Sequence, residues 1–255
     1  MSVSFDFSGK SVLVTGARSG IGYAVAAAFA KAGADLTILS STDAIHQAAR
    51  DMPGTVQAIK CDIADATSVT EALRPIERLD ILVNNAGLER PTPLTGARPD
   101  GNSIFERIID INVTGTQNVT DTLIHRIANG GRIIITASIW AKTAVGGFSA
   151  YVASKHANVG LMRTWARELG PRGICVNAVC PGWVKTDPAM NSLRALSKES
   201  GQSESALLDK IVAAQAIGGL MEPPDMVDTY LFLASCGGAN ITGQAINVDR
   251  GEVMS

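Results

Sequence analysis

The sequence predicts an α/β fold in which about seven parallel strands form a doubly wound sheet with helices on both faces. Three observations predict it. Short β-branched apolar runs alternate with longer helical patterns almost from end to end, as βαβ units require. Each run is near-continuously hydrophobic instead of alternating, the pattern of a strand covered on both faces. A chain of 255 residues, 46% hydrophobic and 18% charged, is large enough to bury such a sheet as one domain spanning 1–255.

In chain order, the first apolar run, 11–15, leads through a glycine-rich turn into an alanine-rich helix over 21–32. Strands at 35–39 and 55–61 follow, and a helix over 67–77 leads to a strand at 80–84. The long pattern over 103–128 reads as one helix before the strand 132–136, and a second long helix over 150–169 precedes the strand 174–179. A helix over 225–234 and a strand at 245–248 complete the sheet. Two stretches follow the C-terminal ends of strands, where ligands bind in open α/β sheets. They are 88–102, rich in Pro and Gly, and 188–219, polar with a weak helical pattern, and both are expected to cover a substrate.

Composition excludes several classes of function. With 22 basic and 24 acidic residues there is no basic stripe to hold a nucleic acid. The first ten residues lack a charged segment followed by an apolar one, and no run approaches the roughly 18 apolar residues of a membrane span, so a cytoplasmic protein without membrane contact is expected. His46, His125 and His156 are scattered, with no i,i+4 partner and no nearby carboxylate cluster, which argues against a metal. Cys61, Cys175, Cys180 and Cys236 lack CxxC spacing and are expected to be four buried free thiols.

The strand 11–15 runs directly into Gly16-Ala17-Arg18-Ser19-Gly20-Ile21-Gly22. Glycines there let the backbone approach a pyrophosphate, whose charge meets the free amides and positive dipole of the helix start, so the first βα unit reads as a Rossmann-type dinucleotide site. The usual acidic residue at the end of the second strand is replaced by Ser40-Ser41-Thr42. Three hydroxyls with no carboxylate among them, and Arg18 in the glycine turn, favour NADP(H). A small polar pocket also admits NAD(H), and Asp43 lies one residue further on, so both cofactors stay open. The stretch 40–43 also reads as a helix N-cap, and the two readings are compatible.

Tyr151 and Lys155 stand four residues apart, so on a helix they share a face about 5 to 6 Å apart. A phenol near pKa 10 is a poor acid or base at neutral pH, and an adjacent cation favours the phenolate. Lys155 is expected to lower that pKa and to grip the nicotinamide ribose. Ser138, just after the strand 132–136, can hydrogen-bond a substrate oxygen or cap a helix. Asn112 sits inside an apolar helical pattern where Asn competes for backbone bonds, which suggests a local kink and a bound water.

These residues resemble the short-chain dehydrogenase/reductase family in its compact single-domain branch, over essentially the whole chain. The matching motifs are the glycine segment through Gly22, Asn84-Asn85-Ala86-Gly87, Asn112, Ser138, Tyr151 with Lys155, Pro181-Gly182 followed by Thr186, and Ile241-Thr242-Gly243. Each is modest alone, and their joint order and spacing are specific. The resemblance implies an oxidoreductase interconverting a ketone or aldehyde and an alcohol, with Tyr151 as general acid in reduction and base in oxidation. It implies that Ser138 orients the reacting oxygen and that Asn112 holds a water in the proton relay. Asp62 with Ile63 would contact adenine, Asn85, Ala86 and Gly87 would stabilise the sheet beside the cofactor, and Pro181, Gly182, Val184 and Thr186 would lie at the nicotinamide.

Two departures stand out. The family often ends its last strand Val-Asp-Gly-Gly, and here Val248-Asp249-Arg250-Gly251 carries an arginine. Many NADP(H)-dependent members place a basic residue immediately before the second glycine, where this chain has Ser19 and sets Arg18 one step earlier.

Trp140, Phe148, Trp183 and Met190 lie near Ser138, Tyr151 and Pro181 in sequence, so they are candidate walls of an apolar pocket for a cyclic or aromatic small molecule, or else core packing. Glu89 and Arg90 follow the Asn84-to-Gly87 motif and would read a polar substrate group or form a solvated pair. The long helices suggest a symmetric homo-oligomer, a tetramer by family analogy or a dimer. Two other functions remain in view. A non-catalytic dinucleotide-binding protein on this fold would normally have lost Tyr151 or Lys155, and a sugar-nucleotide epimerase or dehydratase would be expected to carry an added C-terminal domain.

Overall fold

The computed structural model describes residues 4–95 and 103–254. Among them the strands are β1 (Ser11–Thr15), β2 (Asp35–Ser40), β3 (Val56–Lys60), β4 (Leu79–Asn84), β5 (Ile127–Thr136), β6 (Cys175–Pro181) and β7 (Ala245–Val248). The helices are α1 (Gly20–Lys31), α2 (Ala44–Asp51), α3 (Ala66–Ala72), α4 (Ser103–Ile109), α5 (Thr116–Leu123), α6 (Ser149–Leu169), α7 (Asp187–Ser200), α8 (Glu204–Ala213) and α9 (Val227–Ala234). All strand pairs are parallel and the order is β3-β2-β1-β4-β5-β6-β7, the doubly wound arrangement expected.

Strand residues divide by parity. Leu13, Leu82, Ile133, Ile135 and Val176 enter a core with Val69, Val119, Leu123, Met162 and Trp165 of α3, α5 and α6. Val12, Val14, Ile38, Ile81, Val83 and Ile134 enter the opposite core with Val25, Phe29, Ile45 and Tyr230 of α1, α2 and α9. Both faces of β1, β4 and β6 are therefore buried, which is why these runs read as continuously apolar, whereas β3 at the sheet edge carries the exposed Gln57 and Lys60. The direction of winding reverses between β1 and β4, and the carboxyl ends of these strands open a crevice there.

Local chemistry sets several boundaries. Asp65 starts α3 by accepting from the Thr67 and Ser68 amides at 3.0 and 3.1 Å. Thr186 and Ser203 cap α7 and α8 in the same way. Gly173 and Gly201, both left-handed, end the turn after α6 and helix α7 respectively.

The structure corrects four expectations. The helix expected over 103–128 is α4 and α5 joined by a π-helical turn, Asp110–Gly115, and its last two residues belong to β5. Ile127 pairs with Leu79, and an apolar residue at a helix end reads the same as one in a strand. The weak pattern over 188–219 contains two helices, α7 and α8. Ser40 to Asp43 precede α2, but no side chain there caps it, Asp43 being held instead by Lys60 at 2.7 Å. Of the four cysteines three are buried and Cys236 is exposed, following α9 in a short 3-10 turn.

Of the stretch 88–102, residues 96–102 lie outside the described residues. Its first part is pinned: Thr92 N donates to Gly147 O at 2.7 Å, and Thr92 Oγ1 accepts from Ala150 N at 3.0 Å, capping α6 from outside the helix. No helix among the described residues is long and apolar enough to cross a membrane.

Candidate functional site

The crevice at the carboxyl ends of the strands holds a cleft of about 420 Å³. Gly16, Arg18, Ser19, Gly20, Ile21 and Gly22 form one wall, Ser40, Ser41 and Thr42 the far end, and Asp62 and Ile63 flank it. Asn85, Ala86, Gly87, Tyr151, Lys155 and Thr186 line it toward the other end. A smaller chamber of about 110 Å³ is lined by Ser138, Trp140, Pro181, Gly182, Trp183 and Val184. Ile21, Glu89, Thr136, Tyr151 and Thr186 belong to both spaces, so the cleft and the chamber meet around the phenol.

The glycine turn fits a dinucleotide by close approach. A Cβ at Gly22 would lie 2.3 Å from Asn85 Nδ2 and 2.5 Å from Gly16 O, and one at Gly16 would lie 2.7 Å from Ala86 Cα. The N-cap of α1, Ser19, makes no side-chain cap bond and the first turn carries no acidic residue, so its amides and dipole are available to an anion. Asn85 staples this turn to β4 by donating through Nδ2 to Thr15 O at 3.1 Å and Gly16 O at 3.3 Å. Thr15 Oγ1 accepts from the Asn85 and Ala86 amides at 2.9 and 3.0 Å.

At the far end, Asp43 turns away into its ion pair with Lys60, which also lowers its pKa. Arg18 and the hydroxyls of Ser40, Ser41 and Thr42 have no protein hydrogen-bond partner among the described residues. Asp62 is engaged by Arg107 of α4 and accepts from Ala64 N at 3.1 Å. Cys61 also lines the cleft, its thiol pushed up to about 11 chiefly by burial, with Asp62 and Asp65 adding to the shift, so it stays a neutral thiol.

At the catalytic end, α6 places Tyr151 and Lys155 one turn apart. Lys155 is 3% exposed, and its Nζ donates to Thr136 O at 2.8 Å and stands 5.3 Å from the Tyr151 ring centroid. Burial pulls the lysine down to about 8. The tyrosine departs from the expected direction. Its pKa is raised, first by burial and then by the charge of Glu89, with the Ser138 hydroxyl opposing. Taking a phenolate out of water outweighs the nearby ammonium, so at neutral pH the phenol carries its proton.

Ser138 Oγ accepts from Trp140 N at 3.1 Å, so it caps a short 3-10 turn and faces the chamber at the same time. Trp140 stands edge-on to Tyr151 and to Trp183, with centroids 5.9 and 6.4 Å apart. Phe148, expected in the wall, is 2% exposed and packs behind Trp140 at 5.4 Å. Met190, one turn into α7, also lies outside the chamber lining.

Asn112 occupies the π-helical turn, which is the expected kink, and a Cβ at Gly115 would meet Ile63 Cγ1 at 2.6 Å. Asn112 is 0% exposed and lines neither space. Its Oδ1 accepts from Leu88 N at 2.7 Å, its Nδ2 donates to Leu88 O at 3.0 Å and Ser154 Oγ at 2.9 Å, and its carbonyl accepts from Thr116 Oγ1 at 2.9 Å. The side chain is fully used in holding the Gly87 to Glu89 segment against α6.

Sequence reasoning missed Thr136 and Ser192 and gave Arg250 no role. Thr136 Oγ1 donates to Asn85 Oδ1 at 3.1 Å and bonds Tyr230 OH at 2.8 Å, linking α9 to the glycine turn. Ser192 of α7 donates to Glu89 Oε1 at 2.7 Å, so Glu89 is no solvated partner of Arg90. Among the described residues Arg250 is the one non-glycine residue with left-handed backbone, φ 56°, and its Nη1 donates to Gly218 O at 2.5 Å. Of these, only the Arg250 departure had a local signal.

A family model described as enoyl-(acyl carrier protein) reductase matches residues 16–252. Oxidoreductase UcpA of Salmonella typhimurium is 34% identical over 96% of this chain and 95% of that protein. The 3-oxoacyl-[acyl-carrier-protein] reductase FabG of Thermotoga maritima is 31% identical over 96% and 98%. Among solved structures, a 3-oxoacyl-[acyl-carrier protein] reductase with bound NAD from Brucella melitensis superposes with a TM-score of 0.83 at 28% identity, covering 97% of this chain and 92% of that one. A short chain dehydrogenase from Burkholderia cenocepacia in complex with NADP superposes with a TM-score of 0.80 at 30% identity, covering 96% and 98%.

Proposed function

The chain belongs to the short-chain dehydrogenase/reductase family of NAD(P)-dependent oxidoreductases, and from that premise we propose that it is a carbonyl reductase or alcohol dehydrogenase acting through Tyr151. The observation that carries the reading is the position of Tyr151, which lines both the glycine-turn cleft and the small chamber. A nicotinamide dinucleotide bound in the cleft supplies or accepts the hydride.

The chain's own residues do the rest. Ser138 holds the reacting oxygen in the chamber, and Tyr151, kept protonated by burial, donates its proton to that oxygen in reduction and takes it back in oxidation. Lys155, tethered to Thr136 O, fixes a cation beside the ring whose field favours the phenolate as it forms. Asn112 is a positioning residue, holding Leu88 and Ser154. Trp140 and Trp183 give the chamber an aromatic wall, α7 adds Ala189 to its lining, and the segment 188–219 would cover the substrate as part of one catalytic domain.

The cleft residues from Gly16 to Gly22, Ser40 to Thr42, Asp62, Ile63, Asn85 to Gly87, Tyr151 and Lys155 would hold the dinucleotide, with Pro181, Gly182, Val184 and Thr186 at its nicotinamide end. NADP(H) is favoured over NAD(H), because Asp43 is neutralised by Lys60 while Arg18 and three hydroxyls are left for a 2′-phosphate. The working unit is a homo-oligomer, a tetramer by family analogy.

The test is a panel of ketones and secondary alcohols with both cofactors, followed by nicotinamide absorbance, on the native chain and Tyr151→Phe. Turnover lost in the variant with dinucleotide binding kept supports the reading. Turnover above a few per cent in Tyr151→Phe overturns it.

A further inference from the structure

The chamber holds a carboxylate that the reaction as described does not use. Glu89 lines both the chamber and the cleft, and it shares the chamber with Trp140 and Trp183. One oxygen, Oε1, accepts from the Ser192 hydroxyl at 2.7 Å, and Ser192 is 5% exposed, so the carboxylate is set from a helix packed over the site. Its other oxygen makes no hydrogen bond or ion pair among the described residues. Arg90 donates to the Glu89 backbone carbonyl at 3.1 Å and makes no hydrogen bond or ion pair with the carboxylate.

A half-buried carboxylate with an unused acceptor is costly unless something donates to it. Burial raises its pKa, and Lys155, Ser192 and Arg90 oppose that shift. We propose that Glu89, oriented by Ser192, is a specificity residue that accepts a hydrogen bond from a second hydroxyl of the substrate, so that the enzyme prefers small vicinal hydroxy-ketones and diols to plain ketones and alcohols.

The inference rests on the dehydrogenase reading of the same site. A neutral hydroxyl fits better than an ammonium, because Lys155 already places one cation within electrostatic reach of Glu89 and would repel a second. Substrates with a carboxylate or phosphate next to the reacting carbon are repelled by Glu89. The chamber volume of about 110 Å³ limits the group it takes to a few carbon atoms, and the tryptophan faces suit their C–H surface. Hydrogen-bonding sites discriminate strongly against analogues lacking the hydroxyl, because the site's own polar group is then left unpaired.

The experiment compares 2,3-butanediol with 2-butanol, and acetoin with 2-butanone, which share a carbon skeleton and differ by one hydroxyl. The expected ratio of kcat/KM in favour of the hydroxylated member is about a hundredfold. Glu89→Ala collapses that ratio toward one and Ser192→Ala lowers it in part, whereas a merely structural defect lowers both members together and leaves the ratio standing. A wild-type ratio near one, or a ratio that survives Glu89→Ala, overturns the inference. Quenching of Trp140 and Trp183 fluorescence by 2,3-butanediol separates the two levels. Quenching that depends on Glu89, with no turnover of any of the four compounds, keeps the subsite and removes the dehydrogenase reading. Absence of both removes both.

Discussion

Thr15 and Asn85 grip each other across the point where the sheet reverses its winding. Thr15 Oγ1 accepts from Asn85 N at 2.9 Å, while Asn85 Nδ2 returns a bond to Thr15 O at 3.1 Å. The same amide also bonds Gly16 O, so one side chain fixes the height of the glycine turn above β4. Asn85→Ala leaves the Gly16 carbonyl and the Thr136 hydroxyl short of a partner. It is expected to lower unfolding free energy by about 1–3 kcal/mol in urea titration and to weaken dinucleotide binding on the order of tenfold. Unchanged affinity would show that the turn holds its shape without the staple.

Cofactor choice follows from the far end of the cleft. Initial rates on one ketone should favour NADPH over NADH, and Arg18→Ala should reduce the NADPH rate at low cofactor concentration while leaving NADH little affected. A native preference for NADH would mean that Asp43, despite its 2.7 Å pairing with Lys60, still governs the ribose pocket.

Lys155 gives a pH dependence whose sign is fixed. Its folded pKa, about 8, lies below the value of a free lysine. A dinucleotide ribose that accepts a hydrogen bond from the ammonium favours the charged form, so affinity is full below pH 8 and falls as pH rises through that value. Isothermal titration between pH 6.5 and 9.5 should show the fall, and Lys155→Met should abolish it. A flat profile in the native protein would remove Lys155 from the ribose.

Arg250 carries strain with a purpose. A non-glycine residue at φ 56° costs about 1–2 kcal/mol, yet its carbonyl accepts from Ile217 N at 3.0 Å and its guanidinium bonds Gly218 O. Arg250→Ala keeps the strain and loses the side-chain latch, whereas Arg250→Gly loses both. Arg250→Gly should therefore be the more stable variant by about 1 kcal/mol. Both should raise amide hydrogen exchange at Gly218 and Gly219 above the native rate, and native-like exchange there would show that the latch is idle.

The proposed assembly is checked by light scattering. A mass of four chains is expected, and a mass of 26.6 kDa would establish a monomer.

Much of this architecture was legible in the chain. Strand 11–15 was delimited by its apolar run, because a strand buried on both faces has no polar register to confuse it. The glycine turn, Tyr151 and Lys155 stood within local motifs. What escaped depended on distant partners: Glu89 is set by Ser192, 103 positions away, and Thr136 meets Tyr230 across 94. The direction of the tyrosine shift escaped for a related reason. Spacing places an ammonium near a phenol, but burial, which decides the sign, belongs to the assembled fold.

Thr136 has a single hydrogen to give. Since Asn85 Oδ1 takes it, the Tyr230 hydroxyl must be the donor to Thr136, and the order of donors runs one way, from the last helix through the middle of the sheet to the first loop. The orientation of the Asn85 amide is fixed at the other end, where the Thr15 and Gly16 carbonyls can only accept and so take its Nδ2. Tyr230→Phe would take the donor from the Thr136 oxygen while the bonds of Asn85 to the glycine turn stay in place, so the last helix would lose its polar tie to the dinucleotide loop.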